Sequence, residues 1–244
     1  MRRLQQYFAI AGLVMIFPAS ANAQKGTTSI GAHGGVNISK LCCGSLAVNE
    51  DYKFGEGPTF GLTASYGLNN WLSLATELNY ATQGGKKNGM QAVMTNGSTL
   101  YADFENKTVL NYLELPVMAR ATFGTTIKYY ANVGAFAGYL LSAKQKTSGA
   151  SAYYLDAAGT NPYTSENNKV SFNTDKDIKS DVNAFNFGLV GGIGAGYTFG
   201  KHGIWIDGRY SMGIPNIRKN IGINGENSTG SILAMVAYTY TISK

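Results

Sequence analysis

The sequence predicts an all-β fold: an eight-stranded antiparallel transmembrane β-barrel with short periplasmic turns and long extracellular loops. Three observations predict it. Eight segments of alternating apolar and polar residues follow one another, their connections are alternately short and long, and most charged residues lie outside the segments. Bacterial outer-membrane barrels are built from such strands, with short turns at one end and long loops at the other. We therefore expect a bacterial outer-membrane protein surrounded by outer-membrane lipid, with both termini periplasmic.

The first 23 residues predict a signal peptide rather than a part of the fold. Two arginines precede a short apolar run at 7–17, and the small residues at 21–23 suit cleavage by signal peptidase. The run is too short for a transmembrane helix, which needs about 20 residues. The alternative is an uncleaved N-terminal anchor. We expect residues 1–23 to be removed and residues 24–244 to form one barrel domain, because single barrels commonly reach this length.

Each strand is expected where apolar and polar residues alternate. The predicted spans are 28–38, 58–68, 71–81, 108–120, 126–142, 183–199, 203–214 and 231–242. Tight connections are expected at 67–70, 121–125 and 200–202, and long polar loops at 39–57, 82–107, 143–182 and 215–230.

Alternation alone also fits a soluble, lipocalin-like barrel, so the positions of polar and aromatic residues decide between the two. A soluble barrel would carry many lysines and glutamates on its outer face, whereas the polar faces here carry mainly Gly, Ala, Ser, Thr and Asn. The rings on the apolar face fall at two levels with aliphatic residues between them, as rings do at the two surfaces of a bilayer. The rings near the long loops are Phe60, Tyr80, Tyr139, Phe185, Phe187 and Tyr210, and those near the short turns are Tyr66, Tyr129, Tyr197, Phe199, Tyr238 and Tyr240.

Six charged residues fall within the strands, and all six have the parity that faces the lumen. They are Glu77, Glu114, Arg120, Lys128, Asp207 and Arg209, and their charges cancel. Buried charges persist only when they are paired, so these residues predict a salt-bridge network that fills a narrow lumen and prevents conduction. The alternative is a gated ion path or a small-ligand site. Trp71 and Trp205 also have inward parity, so either bulges turn them outward or they plug the periplasmic end.

The longest loop, 143–182, is the candidate contact surface. It holds Tyr153, Tyr154, Tyr163 and Phe172 among small polar residues. Loops on a rigid scaffold commonly carry partner specificity, and aromatic side chains suit contact with an external protein or glycan. Equally, these rings could fold over the mouth of the barrel and have no partner.

No pattern in the sequence predicts an enzyme, a metal site or a cofactor. No Ser, His and Asp set stands out, and His33 and His202 are isolated. Cys42 and Cys43 are adjacent, so a bridge between them would be strained, and either two free loop thiols or a strained clip fits. The net charge of +6 is spread along the chain instead of forming the basic stripe of a nucleic-acid-binding protein.

The fourth predicted strand carries a family resemblance. Residues 111–120, NYLELPVMAR, resemble a strand of the PorT-like outer-membrane β-barrel family, whose members are often labelled porin family proteins. Residues 31–39 (GAHGGVNIS), 134–141 (GAFAGYLL) and 209–217 (RYSMGIPNI) are similar too, so the resemblance spans essentially the whole chain after the signal.

The resemblance implies an outer-membrane barrel and says little about activity. A few members are associated with protein secretion across the envelope. Two functions follow as expectations: a structural or surface-interaction barrel, or a narrow channel or accessory subunit that works with a secretion-machinery protein. In such a strand Pro116 breaks one ladder hydrogen bond, so a bulge or a local irregularity is expected. Glu114 would then be a natural partner for Arg209 or Arg120.

Overall fold

The computed structural model describes residues 25–42, 53–95, 97–164, 168–219 and 228–243. The strands, in chain order, are β1 (Thr28–Cys42), β2 (Lys53–Gly67), β3 (Leu72–Lys87), β4 (Met90–Thr95), β5 (Ser98–Asp103), β6 (Glu105–Phe123), β7 (Ile127–Ser148), β8 (Ala150–Ser151), β9 (Val170–Ser171), β10 (Thr174–Asp177), β11 (Phe185–Phe199), β12 (His202–Gly213) and β13 (Ser228–Ser243). A 3-10 helix covers Lys179–Asp181. The predicted signal at 1–23, Cys43 and the side chain of Cys42 lie outside the described residues.

Eight strands close into one antiparallel barrel, so the predicted fold is confirmed. Each of β1, β2, β3, β6, β7, β11, β12 and β13 pairs with the next in this order, and β13 returns to pair with β1. Strand β10 adds to the far end of β7, while β4 pairs with β5 and β8 with β9 outside the barrel. The described residues contain no helix long and apolar enough to cross a membrane.

The short turns lie where the sequence predicts them, and local geometry explains two of them. Between β2 and β3, Asn69 Oδ1 accepts hydrogen bonds from the backbone amides of Trp71 and Leu72 at 2.9 and 2.7 Å. Between β11 and β12, Gly200 has a φ of +61°, which glycine adopts without a steric penalty.

Several strands continue well past their predicted ends on the loop side. Strand β3 ends at Lys87 instead of 81, and β7 ends at Ser148 instead of 142. The polar sequence at these ends favours a loop, but β3, β6 and β7 continue to pair there. That pairing satisfies backbone groups that irregular loops would leave to water.

The wall has an apolar outer face and a polar inner face, as predicted for a membrane barrel. Val133 and Ile193 point outward and are 67% and 71% exposed, whereas Asn132 and Asn186, on the inner face of the same two strands, are buried. The predicted rings lie on the outer face, and two pairs from the loop-end level are in contact: Phe60 with Tyr80 and Tyr139 with Phe185.

Pro116 interrupts the ladder between β3 and β6, as expected. Pairing stops after Thr76 opposite Val117 and resumes at Asn79 opposite Glu114 with the register unchanged. Proline lacks the amide hydrogen that this pair would need. A register shift of β6 lies instead between Asn111 and Tyr112, on the edge that faces β7.

Candidate functional site: the lumen and the loop surface

An ion cluster of Glu77, Asp207 and Arg209 occupies the centre of the lumen. The guanidinium of Arg209 donates to both carboxylate oxygens of Glu77, at 2.7 and 2.8 Å, and to both oxygens of Asp207, at 2.6 and 3.0 Å. All three residues are buried. One arginine therefore satisfies two carboxylates from β3 and β12.

Neighbouring side chains complete the ion cluster. Asn79 donates to Glu77 Oε2 at 3.0 Å, and the Tyr130 hydroxyl donates to Asp207 Oδ2. His33 looks isolated in the sequence, but in the structure its Nε2 lies 3.9 Å from Glu77 Oε2. The inward parity of His33 on β1 and of Tyr130 on β7 is visible in the sequence, but only the closed barrel brings them to these carboxylates.

Arg120 belongs to the edge of the cluster. Its Nη2 lies 4.0 Å from Glu77 Oε1, and its guanidinium carbon lies 4.3 Å from the centroid of the Tyr130 ring. Its Nε is buried and has no hydrogen-bond partner among the described residues. Arg120 is thus held by the ring of Tyr130 and a long-range attraction to Glu77 instead of by a direct carboxylate bond.

Inward glycines of β11 make room for the large lumen side chains. A Cβ atom on Gly192 would lie 2.6 Å from Arg209 Cγ, and one on Gly194 would lie 2.3 Å from Tyr130 Cζ. Small inward residues on one strand thus face bulky residues on its neighbours, which is how a narrow barrel fills its interior.

The remaining two predicted charges lie apart from the cluster. Glu114 accepts a hydrogen bond from Gln83 Nε2 at 2.6 Å and is buried towards the loop end. The expected pairing of Glu114 with Arg209 or Arg120 is wrong, because neither makes a salt bridge to it in the described part of the chain. Six residues along β6 separate Glu114 from Arg120, or about 20 Å at roughly 3.3 Å per residue. Lys128 lies at the turn end.

An apolar plug closes the loop end of the lumen. Strand residues and residues from two long loops pack together there, with Ile178 against them. Backbone pairing between the two loops holds Val182 and Ile217 in place. Asn183 N donates to Ile217 O at 2.7 Å, and Val182 forms an isolated antiparallel β-bridge with Arg218. The plug consists of Leu41, Leu110, Tyr112, Leu140, Ala143, Val182 and Ile217.

The turn end of the lumen is open and forms a cup of about 340 Å³. All eight barrel strands contribute to its wall, and eight of its fifteen lining residues are Ser or Thr. Its charged lining residues are Arg120 and Lys128. Between this turn-end cup and the plug, the cavity around the ion cluster holds only about 10 Å³, which is room for about one water molecule.

The two tryptophans have different positions. Trp205 points into the turn-end cup, where its Nε1 donates to Thr239 Oγ1 at 2.9 Å and its ring lies 5.5 Å from that of Tyr130. Trp71 belongs to the turn before β3 and is exposed. The sequence leaves both orientations open, and the structure assigns one to each residue.

Two of the four loop aromatics, Tyr153 and Phe172, have ring contacts within the loops, and a third is tied by its backbone. Phe172 stacks on Phe104 with centroids 4.7 Å apart, and Tyr153 meets Phe172 edge-on at 5.8 Å. The backbone of Tyr154 exchanges two 2.8 Å hydrogen bonds with Tyr101 of β5. These contacts join the β4–β5 hairpin to the loop between β7 and β11, and we call this unit the loop platform.

Four large apolar or aromatic side chains are exposed in the described part of the loop platform: Met94, Leu155, Tyr163 and Val170. Tyr163 is 54% exposed and Met94, in β4, is 83% exposed. A turn beside Tyr163 is held by Asp156, whose Oδ1 accepts from Asn161 N at 2.8 Å and whose Oδ2 accepts from Thr160 Oγ1 at 2.6 Å. These hydrogen bonds lower the pKa of the Asp156 carboxyl.

A lysine row crosses the outer face of the wall above the aromatic level. Cross-strand pairing places Lys53 opposite Lys86, Lys86 opposite Lys107, and Lys107 opposite Lys146. The row faces outward because Leu110, three residues after Lys107, points into the plug.

Only one end of the lysine row is neutralised among the described residues. Asp175 lies 3.6 Å from Lys146 Nζ, whereas no described carboxylate lies within 4.0 Å of Lys53, Lys86 or Lys107. Like charges directly opposite each other on neighbouring strands are destabilising. The lysine row is therefore a positively charged surface, and the repulsion between its opposed lysines lowers the stability of the barrel.

No metal centre is formed by the described ranges, since they contain no group of three or more His, Cys, Asp or Glu residues that could hold an ion.

Comparison with known proteins gives one family match. The model of a family described as outer membrane protein beta-barrel domain matches residues 22–219. No curated protein sequence matches the chain significantly.

Three of the solved structures similar to this chain are bacterial proteins. The attachment invasion locus protein Ail of Yersinia pestis has a TM-score of 0.41 and 14% identity, covering 89% of this chain and all of Ail. The N-terminal β-barrel domain of Pseudomonas aeruginosa OprF has a TM-score of 0.39 and 9% identity, covering 89% and 98%. Neisserial surface protein A has a TM-score of 0.37 and 14% identity, covering 86% and 95%.

Proposed function

Because the chain belongs to the outer membrane protein beta-barrel domain family, we propose that it is a closed outer-membrane barrel that presents a fixed contact surface at its loop end. The single observation that carries this proposal is the combination of a blocked lumen with loops that are tied to one another. In this proposal residues 1–23 are removed on export, residues 24–244 are one domain, and the termini and short turns face the periplasm.

The structure of the lumen favours a structural or contact role and argues against a narrow channel. Its centre is filled by the ion cluster, with a cavity of only about 10 Å³, and the apolar plug lies beyond it. Opening a path would require breaking the four hydrogen bonds of Arg209 and displacing Val182 and Ile217. Purified protein in planar bilayers should give no steady open-channel current, and steady currents would contradict the closed lumen.

The loop platform supports contact with a partner because it is preorganised. Stacking of Phe104 on Phe172 and pairing of Tyr101 with Tyr154 fix the backbone before any partner arrives. Preorganised loops lose less conformational entropy on binding. Among the described residues of the platform, Met94, Leu155, Tyr163 and Val170 are the large apolar and aromatic side chains left exposed for such contact.

The lysine row favours an anionic partner. Lys86 lies six residues beyond Tyr80 along β3, or about 20 Å further from the aromatic level along the strand. A row of four strands spaced about 4.8 Å apart presents positive charge over roughly 14 Å. Phosphate, sulfate or carboxylate groups on an external glycan would fit this surface, and they would relieve the repulsion between opposed lysines.

The anionic-partner proposal is tested by binding of nanodisc-embedded protein to dextran sulfate, with neutral dextran as reference. The variant K86Q/K107Q should bind dextran sulfate about 10- to 30-fold more weakly at low salt, since each lysine near an anionic surface contributes about 1 kcal/mol. The control K25Q/K201Q removes the same charge from exposed residues at the turn end and should bind like the wild type. Equal losses in both variants, or equal binding of dextran, would refute the role of the lysine row.

A further inference from the structure

We infer that the outer edge of β4 in the loop platform is a docking site for an extended peptide segment of a partner protein, which adds to the β4–β5 hairpin as a further strand. This inference rests on the proposed function, because it names the kind of partner that the loop platform holds. Three features support it: the direction of the backbone groups of β4, the unequal protection of the two edges of one small sheet, and the exposed side chains beside the open edge.

The loop platform contains a small sheet that is already extended on one side. Strand β5 pairs with the six residues of β4. On the other edge of β5, the amide and carbonyl of Tyr101 exchange two hydrogen bonds of 2.8 Å with Tyr154, which in turn forms a β-bridge with Pro162. The order across this sheet is therefore β4, β5, the segment at Tyr154 and the segment at Pro162.

The backbone groups of Ala92 point away from β5. Ala92 lies directly opposite Tyr101, and Tyr101 directs its own amide and carbonyl to Tyr154. Two opposed residues of an antiparallel pair either exchange both hydrogen bonds or direct both sets of backbone groups outward. Ala92 therefore belongs to an outward pair, and the period of two along the strand places the backbone groups of Met90 and Met94 on the same outer edge.

The two outer edges of this sheet are protected differently. On one side, Pro162 lacks an amide hydrogen and so limits further pairing. On the other side, β4 has the sequence MQAVMT, which contains neither proline nor a charged residue. No strand of the described ranges pairs with the outer edge of β4. Natural sheets commonly block an exposed edge, so an edge that is left unblocked is suited to strand addition.

The side chains of the hairpin place apolar groups beside the open edge. Leu100 and Ala102 of β5 are buried and mark the face of the hairpin that packs on the protein. Ala92 and Met94 lie on the opposite face, where Ala92 is exposed and Met94 is 83% exposed. An added strand would cover these two side chains and satisfy the outward backbone groups of β4 at the same time.

The size of the edge favours a peptide segment over a second copy of this chain. The six residues of β4 span about 20 Å at roughly 3.3 Å per residue. A contact of this length and about 10 Å in width buries roughly 400 Å² over both partners, whereas stable interfaces between folded proteins bury about 1,200–2,000 Å². A second barrel would need further complementary surface, whereas an extended segment can bind through the ladder itself.

A peptide with the sequence of β5 provides the probe, because β4 already pairs with this sequence on its inner edge. The fluorescein-labelled peptide STLYAD should bind saturably to nanodisc-embedded protein, as measured by fluorescence anisotropy. The same peptide N-methylated at its adjacent Leu and Tyr residues keeps its side chains but loses one amide donor on each of its two edges. It should bind at least about tenfold more weakly.

Matched variants locate the peptide on β4. A92P removes an amide that β5 does not use, so the hairpin keeps its ladder and the peptide should bind about tenfold more weakly. The control A157P makes the same change at an exposed position of the turn that Asp156 holds, where proline is readily accommodated, and it should bind like the wild type. The N-methylated peptide keeps the test valid if A92P does not fold, because it is measured on the wild-type protein.

The inference is overturned if STLYAD does not bind saturably, if the N-methylated peptide binds equally well, or if A92P binds as tightly as A157P. A wild-type dimer that becomes a monomer in A92P, measured by light scattering, would assign the edge to a second copy and would overturn it too. Dextran sulfate binding depends on the lysine row and should be unchanged in A92P. Loss of peptide binding alone therefore contradicts strand addition, whereas absence of both activities in the wild type contradicts the loop-end contact surface itself.

Discussion

Replacement of Arg209 tests whether the ion cluster holds the barrel together. In R209Q, Glu77 and Asp207 lose two hydrogen bonds each and remain buried with their negative charges. Removing one partner of a buried ion pair typically costs about 3–5 kcal/mol, because an uncompensated charge stays in the interior. We expect a loss of this size in the free energy of unfolding.

The neighbours of the cluster set where in this range the loss falls. Glu77 keeps its hydrogen bond from Asn79 and its attraction to Arg120, and Asp207 keeps the hydroxyl of Tyr130. These contacts should hold the loss near the lower end, at about 3 kcal/mol. Urea unfolding from lipid bilayers, followed by tryptophan fluorescence and heat-modifiable mobility, measures it.

A charge-free cluster provides the control for R209Q. The triple variant E77Q/D207N/R209M removes both carboxylates together with the arginine, and replacing a complete buried ion cluster is often close to neutral. We expect the triple variant to be clearly more stable than R209Q. The explanation fails if R209Q costs less than about 1 kcal/mol or if the triple variant is as unstable as R209Q.

Three further predictions concern packing and the loops. G194A should cost about 1–3 kcal/mol, because the new Cβ would meet the Tyr130 ring at 2.3 Å; urea unfolding should show G194A/Y130A losing less than the sum of both single changes. F172A removes the stack on Phe104, so limited proteolysis should cut the loop platform faster with the unfolding midpoint of the barrel unchanged. The lowered pKa of Asp156 means that its carboxylate stabilises the turn at neutral pH and loses this effect as pH falls through that pKa; the protection factor of the Asn161 amide against hydrogen exchange should fall there, and D156N should abolish this pH dependence.

The fold could be predicted because barrel strands obey a period of two. Alternation places Glu77 and Arg209 inside and Ile193 outside without any knowledge of neighbouring strands. The ends of the strands could not be predicted in the same way. The polar continuation of β3 to Lys87 looks like a loop in sequence, and only its pairing with β6 makes it a strand.

The contents of the lumen were predictable, but the partners within it were not. The parity of a residue in its strand tells whether its side chain faces the lumen or the outside. Strand tilt and register set its position along the barrel axis. Glu114 and Arg120 share a face of β6, yet they lie at different levels, so Glu114 meets Gln83 and Arg120 meets Tyr130. The contact of His33 with Glu77 cannot be predicted from sequence, because a lone histidine in a strand carries no signal until its neighbours are known.

The loop aromatics show the same limit. The sequence identifies Phe172 and Tyr163 as aromatic residues of one polar loop. It does not decide whether their rings contact a partner or pack against the protein itself. Phe172 packs on Phe104, which lies in the preceding loop, and Tyr163 stays exposed. A pairing between two separate loops leaves no local pattern.

Lipid is expected to surround the apolar outer face of the barrel, and two lysine substitutions distinguish lipid from water at that face. Ile193 in the wall and Met94 in the loop platform are 71% and 83% exposed. Neither side chain packs extensively against the protein, so a lysine at either position disrupts little internal packing. In unfolding from bilayers, I193K should lose about 2–4 kcal/mol, the cost of a lysine near the bilayer midplane, while M94K should stay within about 0.5 kcal/mol of the wild type. If both variants stayed within that smaller margin, the outer face of this barrel would be in contact with water instead of lipid.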